Sequence, residues 1–151
     1  MTAMSSWPGQ KLLTELLRRF REPGTRQMTP RELADHGENL AATHLRRGGL
    51  KIIARNFRCD SGEIDIIARD GKTLVFVEVK TRESSEESPE AAVDFTKRQR
   101  VTAAATIYLS RYGANQPSVR FDVVAIVWPK GRQPRINHMP AAFQAEERKK
   151  S

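Results

Sequence analysis

Apolar side chains recur along the chain with two periods, one near 3.6 residues and one of two, and their succession gives an order of elements. Leu33, Gly37, Leu40, Ala41, His44 and Leu45 follow the helical period. Thr29-Pro30-Arg31-Glu32 supplies an N-cap, a proline at the first helical position and a Glu at the third, and Gly48-Gly49 stops the element, so a helix is predicted over 31–47. Alternating runs then predict strands over 51–57, 62–69 and 72–82. After an acidic loop at 83–90, Val101, Ala104, Ala105, Tyr108, Leu109 and Tyr112 define a second helix over about 94–112, and Val119 to Trp128 a strand over 118–128. Ile136 to Phe143 reads as an added strand or a short helix.

Ahead of this pattern, Leu12, Leu13, Leu16, Leu17 and Phe20 form a short amphipathic helix that Pro23-Gly24 ends. Residues 1–30 are therefore expected to be a mobile or partner-docking extension, residues 31–143 the domain, and 144–151 a basic tail.

Two of the strands carry charges that the apolar pattern does not ask for. In Leu74 to Arg82, Glu78 and Lys80 project from one face while Val75, Val77 and Val79 take the other, which spaces acid and base roughly 6 to 7 Å apart. In Glu63 to Ala68, Ile64, Ile66 and Ala68 alternate against Glu63, Asp65 and Ile67. Asp70-Gly71 between the runs is a hairpin signal. With those two residues as the loop, Asp65 stands opposite Phe76 and Glu63 opposite Glu78, and all four charged groups share a face. Asp65 and Glu78 then become diagonal neighbours at roughly 7 to 8 Å, within reach of one cation. A register slip of two residues would keep the faces; a slip of one would separate the carboxylates.

Charges on one face of a hairpin most often meet water. Three acids beside a Lys also match a hard-cation site, because Mg²⁺ takes oxygen ligands from one or two carboxylates plus water and phosphate. Glu38, one turn from Ala34, Ala41 and Ala42, borders the apolar stripe of the first helix and is a candidate to point into the same cleft.

The chain of 151 residues allows one domain of ordinary size, and a net charge of +8 with a pI near 10.1 points to an anionic partner, nucleic acid first. Lys97, Arg98 and Arg100 crowd the start of the second helix against its dipole, a conflict that a docked phosphate relieves. The N-terminus shows no signal-peptide core and no stretch reaches the roughly 20 apolar residues that span a bilayer, so the expected place is the cytoplasm and no membrane partner is expected. Cys59 is the only cysteine, which excludes an internal disulfide and a cysteine zinc site. His36, His44 and His138 lack ligand spacing; His44 reads as helix packing and the other two as surface or cap residues. Asp122, in the last apolar strand, is a polar group with no role assigned.

Taken together, Gly37-Glu38, Arg55-Asn56-Phe57-Arg58, Gly62-Glu63-Ile64-Asp65-Ile66-Ile67-Ala68 and Val75 to Arg82 resemble the bacterial YraN-like family. That family looks like a member of the PD-(D/E)xK nuclease superfamily, similar to archaeal Holliday-junction resolvases, and the match covers about residues 31–143. The resemblance implies an α/β, restriction-endonuclease-like fold with a mixed central sheet flanked by helices. It puts Asp65 in the place of the superfamily's Asp, Glu78 and Lys80 in its second motif, and Glu38 in that of the helical Glu of resolvase-like members. Ile64 stands where the superfamily name has proline, which carries no chemistry.

The function expected is that of a Mg²⁺-dependent endonuclease, with Mn²⁺ able to substitute, acting on DNA ahead of RNA and selecting structure. Asp65 and Glu78 hold the metal; Glu38, Asp65, Glu78 and Lys80 form the catalytic set; Arg82, Lys97, Arg98 and Arg100 hold the backbone. The alternative is a nucleic-acid-binding protein that does not cut. A homodimer through an edge strand is open.

Overall fold

A computed structural model describes residues 27–84 and 94–145. The N-terminal extension, the acidic loop and the basic tail expected from the sequence lie largely outside these residues. The element order is α1 (Pro30–Arg47), β1 (Lys51–Cys59), β2 (Gly62–Asp70), β3 (Thr73–Arg82), α2 (Phe95–Tyr112), β4 (Ser118–Val127) and β5 (Arg135–Phe143). The start signal of α1 acts as read. Thr29 and Glu32 form a capping box, with the Glu32 amide donating to Thr29 Oγ1 at 3.2 Å and the Thr29 amide to Glu32 Oε2 at 2.8 Å. Asp94 caps α2 by accepting from the Lys97 amide at 2.8 Å. Residues 135–143 are a strand, the first of the two readings.

The five strands form one sheet in the order β1-β2-β3-β4-β5, antiparallel except for β3 and β4, which α2 joins as a parallel crossover. With a helix on each face this is an α/β arrangement around a mixed central sheet, consistent with the restriction-endonuclease-like fold that the resemblance implies. On one face Ala41, Ala42 and Leu45 of α1 pack on Ile66, Ala68, Val75, Val77, Val124 and Ile126. On the other, Val101, Ala104, Ala105 and Tyr108 of α2 cover Ile64, Ile67, Leu74, Phe76 and Phe121. Burying each such large side chain contributes about 1.5 to 3 kcal/mol, which is why β3 reads as an almost unbroken apolar run.

The hairpin differs from the sequence reading in register. Asp70 pairs with Thr73 and Ile66 with Val77, so Gly71 and Lys72 form the loop; Gly71 takes the left-handed φ of 57° that suits glycine. Ile67, not Asp65, stands opposite Phe76. Moving the loop by one residue shifts the pairing by two, so the faces survive and Asp65 comes level with Glu78.

Facing also departs from simple alternation in β2. Ile66 packs toward α1, but Ile64 joins Ile67 on the α2 side. The partner strand reverses at the same level, since Arg55 reaches α1 while Phe57 packs beside α2. Between those pairs stand Asn56 and Asp65, and Asn56 has φ of 52°, a conformation that asparagine tolerates better than most side chains. This local reversal turns Asp65 out of the regular pleat.

Two close approaches fix the helices. A Cβ on Gly37 would overlap Thr81 Oγ1 and lie 2.8 Å from Thr81 Cβ, so α1 rests directly on β3. A Cβ on Gly62 would come within 2.6 Å of the Arg100 carbonyl, so the first turns of α2 rest on the start of β2.

Candidate active site

Where the β2–β3 ladder stops at Ile66 and Val77, the next amide of β3 that faces β2 takes a side-chain partner: Val79 N–H donates to Asp65 Oδ2 at 2.8 Å. This bond pins the Asp65 carboxylate beside Glu78, close enough for each carboxyl to act on the other's proton affinity. Glu78 is only 4% exposed. Burial, then the Asp65 charge, pushes its carboxyl up to about 8, against the pull of Lys97. Burial also raises Asp65, outweighing the Val79 amide that favours its anion.

Glu38 comes from α1, brought in by the Gly37 contact with Thr81. Burial raises its carboxyl, and the Asp65 charge adds to the rise. Arg55 Nη2 lies 3.7 Å from Glu38 Oε2, its Nη1 donates to Asn39 at 2.9 Å, and the Asn56 side chain bonds the Glu38 carboxyl. Glu38 therefore approaches Asp65 from one face of the sheet and Glu78 from the other.

Lys80 lies on the Glu78 side of β3, half-buried and level with Ala125 of β4; among the described residues it has no ion-pair partner. Lys97, expected on phosphate, instead points its ammonium inward, with Nζ 3.2 Å from Glu78 Oε1 and 3.8 Å from Glu63 Oε1. Burial opposes its charge, but Glu78 more than offsets this and its affinity for a proton is raised. Glu63 is exposed and paired to Arg58 at 3.6 Å and to Lys97, so it belongs to the rim. Arg82 and Arg98 are half-buried, and Arg100 is exposed at the mouth of the polar cleft beside the site.

The donor set suits a hard cation. Glu78 Oε2 is buried with no hydrogen-bond partner, a costly state that an oxygen-seeking ion relieves. Among the described residues no three His, Cys, Asp or Glu side chains close on one point, so the ligands offered are the Asp65–Glu78 pair, completed by water and phosphate oxygens as Mg²⁺ prefers.

Sequence reasoning missed three partners. Asn56 and Lys97 reach the site only because β1 reverses its facing and α2 docks at Gly62. His138 is neither surface nor cap: its Nε2 lies 2.8 Å from Oδ2 of the fully buried Asp122, which also accepts from Arg120 at 2.8 and 3.0 Å and from the Ala141 amide at 3.0 Å. Burial would raise Asp122, yet these donors hold it below the usual carboxylate range. The only sequence signal was Arg120 and Asp122 in i, i+2 spacing on an apolar strand. His44, expected in the helix packing, is exposed and meets the His138 ring edge-on at 6.2 Å.

A family model described as "Uncharacterised protein family UPF0102" matches residues 37–126. The chain belongs to this family. UPF0102, the YraN-like family, falls within the PD-(D/E)xK nuclease-like superfamily. A UPF0102 protein of Nocardia farcinica is 47% identical over 112 residues, covering 74% of this chain and 88% of the relative. One of Geobacter metallireducens is 47% identical over 76% of this chain and 93% of its own length, and one of Geobacter sulfurreducens 49% over 74% and 88%. The matched UPF0102 segment contains Glu38, Asn56, Asp65, Glu78, Lys80, Lys97 and Asp122. No helix among the described residues is long and apolar enough to cross a membrane.

Proposed function

We propose that this UPF0102 chain is a divalent-metal-dependent endonuclease that hydrolyses phosphodiester bonds in DNA and selects its substrate by structure. The observation that carries the reading is the buried, partnerless Oε2 of Glu78 beside an Asp65 carboxylate fixed by a backbone amide. Asp65 and Glu78 would hold Mg²⁺ or Mn²⁺, with Glu38 contributing directly or through water. A metal bound there supplies Lewis acidity at the phosphoryl oxygen and acidifies water. Lys80, on the same side of β3 as Glu78 and without an ion-pair partner among the described residues, is placed to orient the attacking water, take part in removing its proton and offset charge on the phosphate. Arg82, Arg98 and Arg100 flank this side, and the chain's net charge of +8 favours a polyanion. Backbone contacts of this kind carry no base sequence, so shape selection follows.

The test incubates the protein with single-stranded, duplex, flapped and four-way-junction DNA and with RNA, in Mg²⁺ or Mn²⁺. Metal-dependent cleavage lost in both Asp65→Ala and Lys80→Ala supports the reading. Salt-sensitive binding without cleavage, kept in Asp65→Ala, would replace it with a non-cutting adaptor.

A further inference from the structure

Lys97 is the feature of the site that a metal-binding pair of carboxylates does not require. Its ammonium stands 3.2 Å from Glu78 and 3.8 Å from Glu63, and Asp65 also acts on its charge. The charge next to the carboxylates is thus already part-neutralised by a group on a flexible four-carbon stem. The backbone of that residue is fixed separately, by the hydrogen bond its N–H donates to Asp94 Oδ1 and by the contact of α2 with Gly62, so the ammonium can move without disturbing the helix. Lys97 also lines a polar cleft of about 450 Å³ together with Arg58, Asp60, Gly62, Glu63 and Arg100, in which Arg58 is paired with Glu63.

Resting on the nuclease reading of the site, we infer that Lys97 is a tethered counter-ion: it occupies Glu78 in the metal-free protein, gives way to the divalent cation, and then presents its charge to a phosphate in the adjoining cleft. The ammonium sits on Oε1 of Glu78 and the ion would take Oε2 of the same carboxylate, and two like charges that close cannot both be held at full strength. Once displaced, the ammonium joins Arg58 and Arg100 on the cleft wall, where a third positive charge outweighs the two carboxylates, Asp60 and Glu63, and strengthens binding of a phosphodiester. Metal loading and substrate capture are thereby coupled, each favouring the other as linkage requires.

The inference predicts effects of opposite sign from one substitution. Lys97→Met keeps the stem and the Asp94 cap but removes the charge; Mn²⁺ binding, measured by calorimetry without nucleic acid, should tighten by on the order of tenfold. Affinity for a short duplex, measured by anisotropy, should rise with Ca²⁺ in the wild-type protein and lose most of that rise in Lys97→Met. Lys97→Arg retains the charge and should stay near wild type in Mn²⁺ affinity. Thermal melting in saturating Mn²⁺ verifies that each variant is folded. Folded Lys97→Met with unchanged or weaker Mn²⁺ affinity overturns the inference while leaving the nuclease reading in place. No Mn²⁺ binding by the wild-type protein overturns both.

Discussion

Asp65 Oδ2 accepts a hydrogen bond from the Val79 amide at 2.8 Å, one step beyond the last backbone pair of β2 and β3. A carboxylate thus does the work of a strand at the point where the strands part. The bond satisfies an amide that would otherwise be orphaned and holds the carboxylate beside Glu78. Asp65→Ala is therefore expected to lose Mn²⁺ binding and to cost about 1 to 3 kcal/mol in denaturant unfolding. Asp65→Asn keeps an acceptor for Val79, so it should unfold close to wild type while still failing to bind Mn²⁺.

Glu78 makes stability depend on pH in a definite direction. Its carboxyl titrates at about 8 in the fold against 4.5 when unfolded, so the native state binds the extra proton between those values. The associated stabilisation is complete below pH 4.5, falls as pH rises, and is gone above about 8. In EDTA the melting temperature should drop from pH 5 to pH 9 more steeply for the wild-type protein than for Glu78→Gln. A difference on the order of a few kcal/mol is expected at pH 9, and Mn²⁺ should restore the wild-type protein alone.

Gly37 is expected to tolerate no side chain. In Gly37→Ala the new methyl meets Thr81 Oγ1 and Cβ, forcing α1 off β3 and carrying Glu38 with it. Overpacking of this kind costs about 1 to 3 kcal/mol. Thr81→Ala in the same chain should recover part of the loss, which a double-mutant cycle measures; equal losses in the single and double variants would contradict the contact.

At Asn56 the backbone and the side chain can be tested apart. Glycine accepts φ of 52° without strain, so Asn56→Gly should unfold at or above the wild-type denaturant midpoint. The same variant loses the bond to Glu38 and should bind Mn²⁺ several-fold more weakly. If only the backbone conformation matters, both measurements will match the wild-type protein.

Asp122 predicts the opposite profile. It lies level with Val77 on the α1 side, away from Glu78, and ties Arg120, His138 and the β5 amide of Ala141 together. Asp122→Ala should cost roughly 3 kcal/mol or more by leaving buried donors without their anion. Hydrogen exchange should show β5 opening first, and the fraction still folded should keep its Mn²⁺ affinity.

The sequence by itself determined the elements and the faces that bear charge. Helical and two-residue periods, Thr29 with Glu32, Gly48-Gly49 and the glycine in the hairpin loop act over a few residues, so they are legible without any partner. Asp65, Glu78 and Lys80 were found because charges in apolar strands stand out, and Glu38 because it borders a stripe. The tertiary structure decided what these groups touch. Register moved by two because the loop closed on Gly71-Lys72, and the reversal at Asn56 turned Asp65 toward Val79. Docking of α2 on Gly62 brought Lys97 to Glu78, where its charge was expected on phosphate. Contacts of that kind are set by which surfaces meet across the sheet, and no local period encodes a distance between residues 19 or more positions apart.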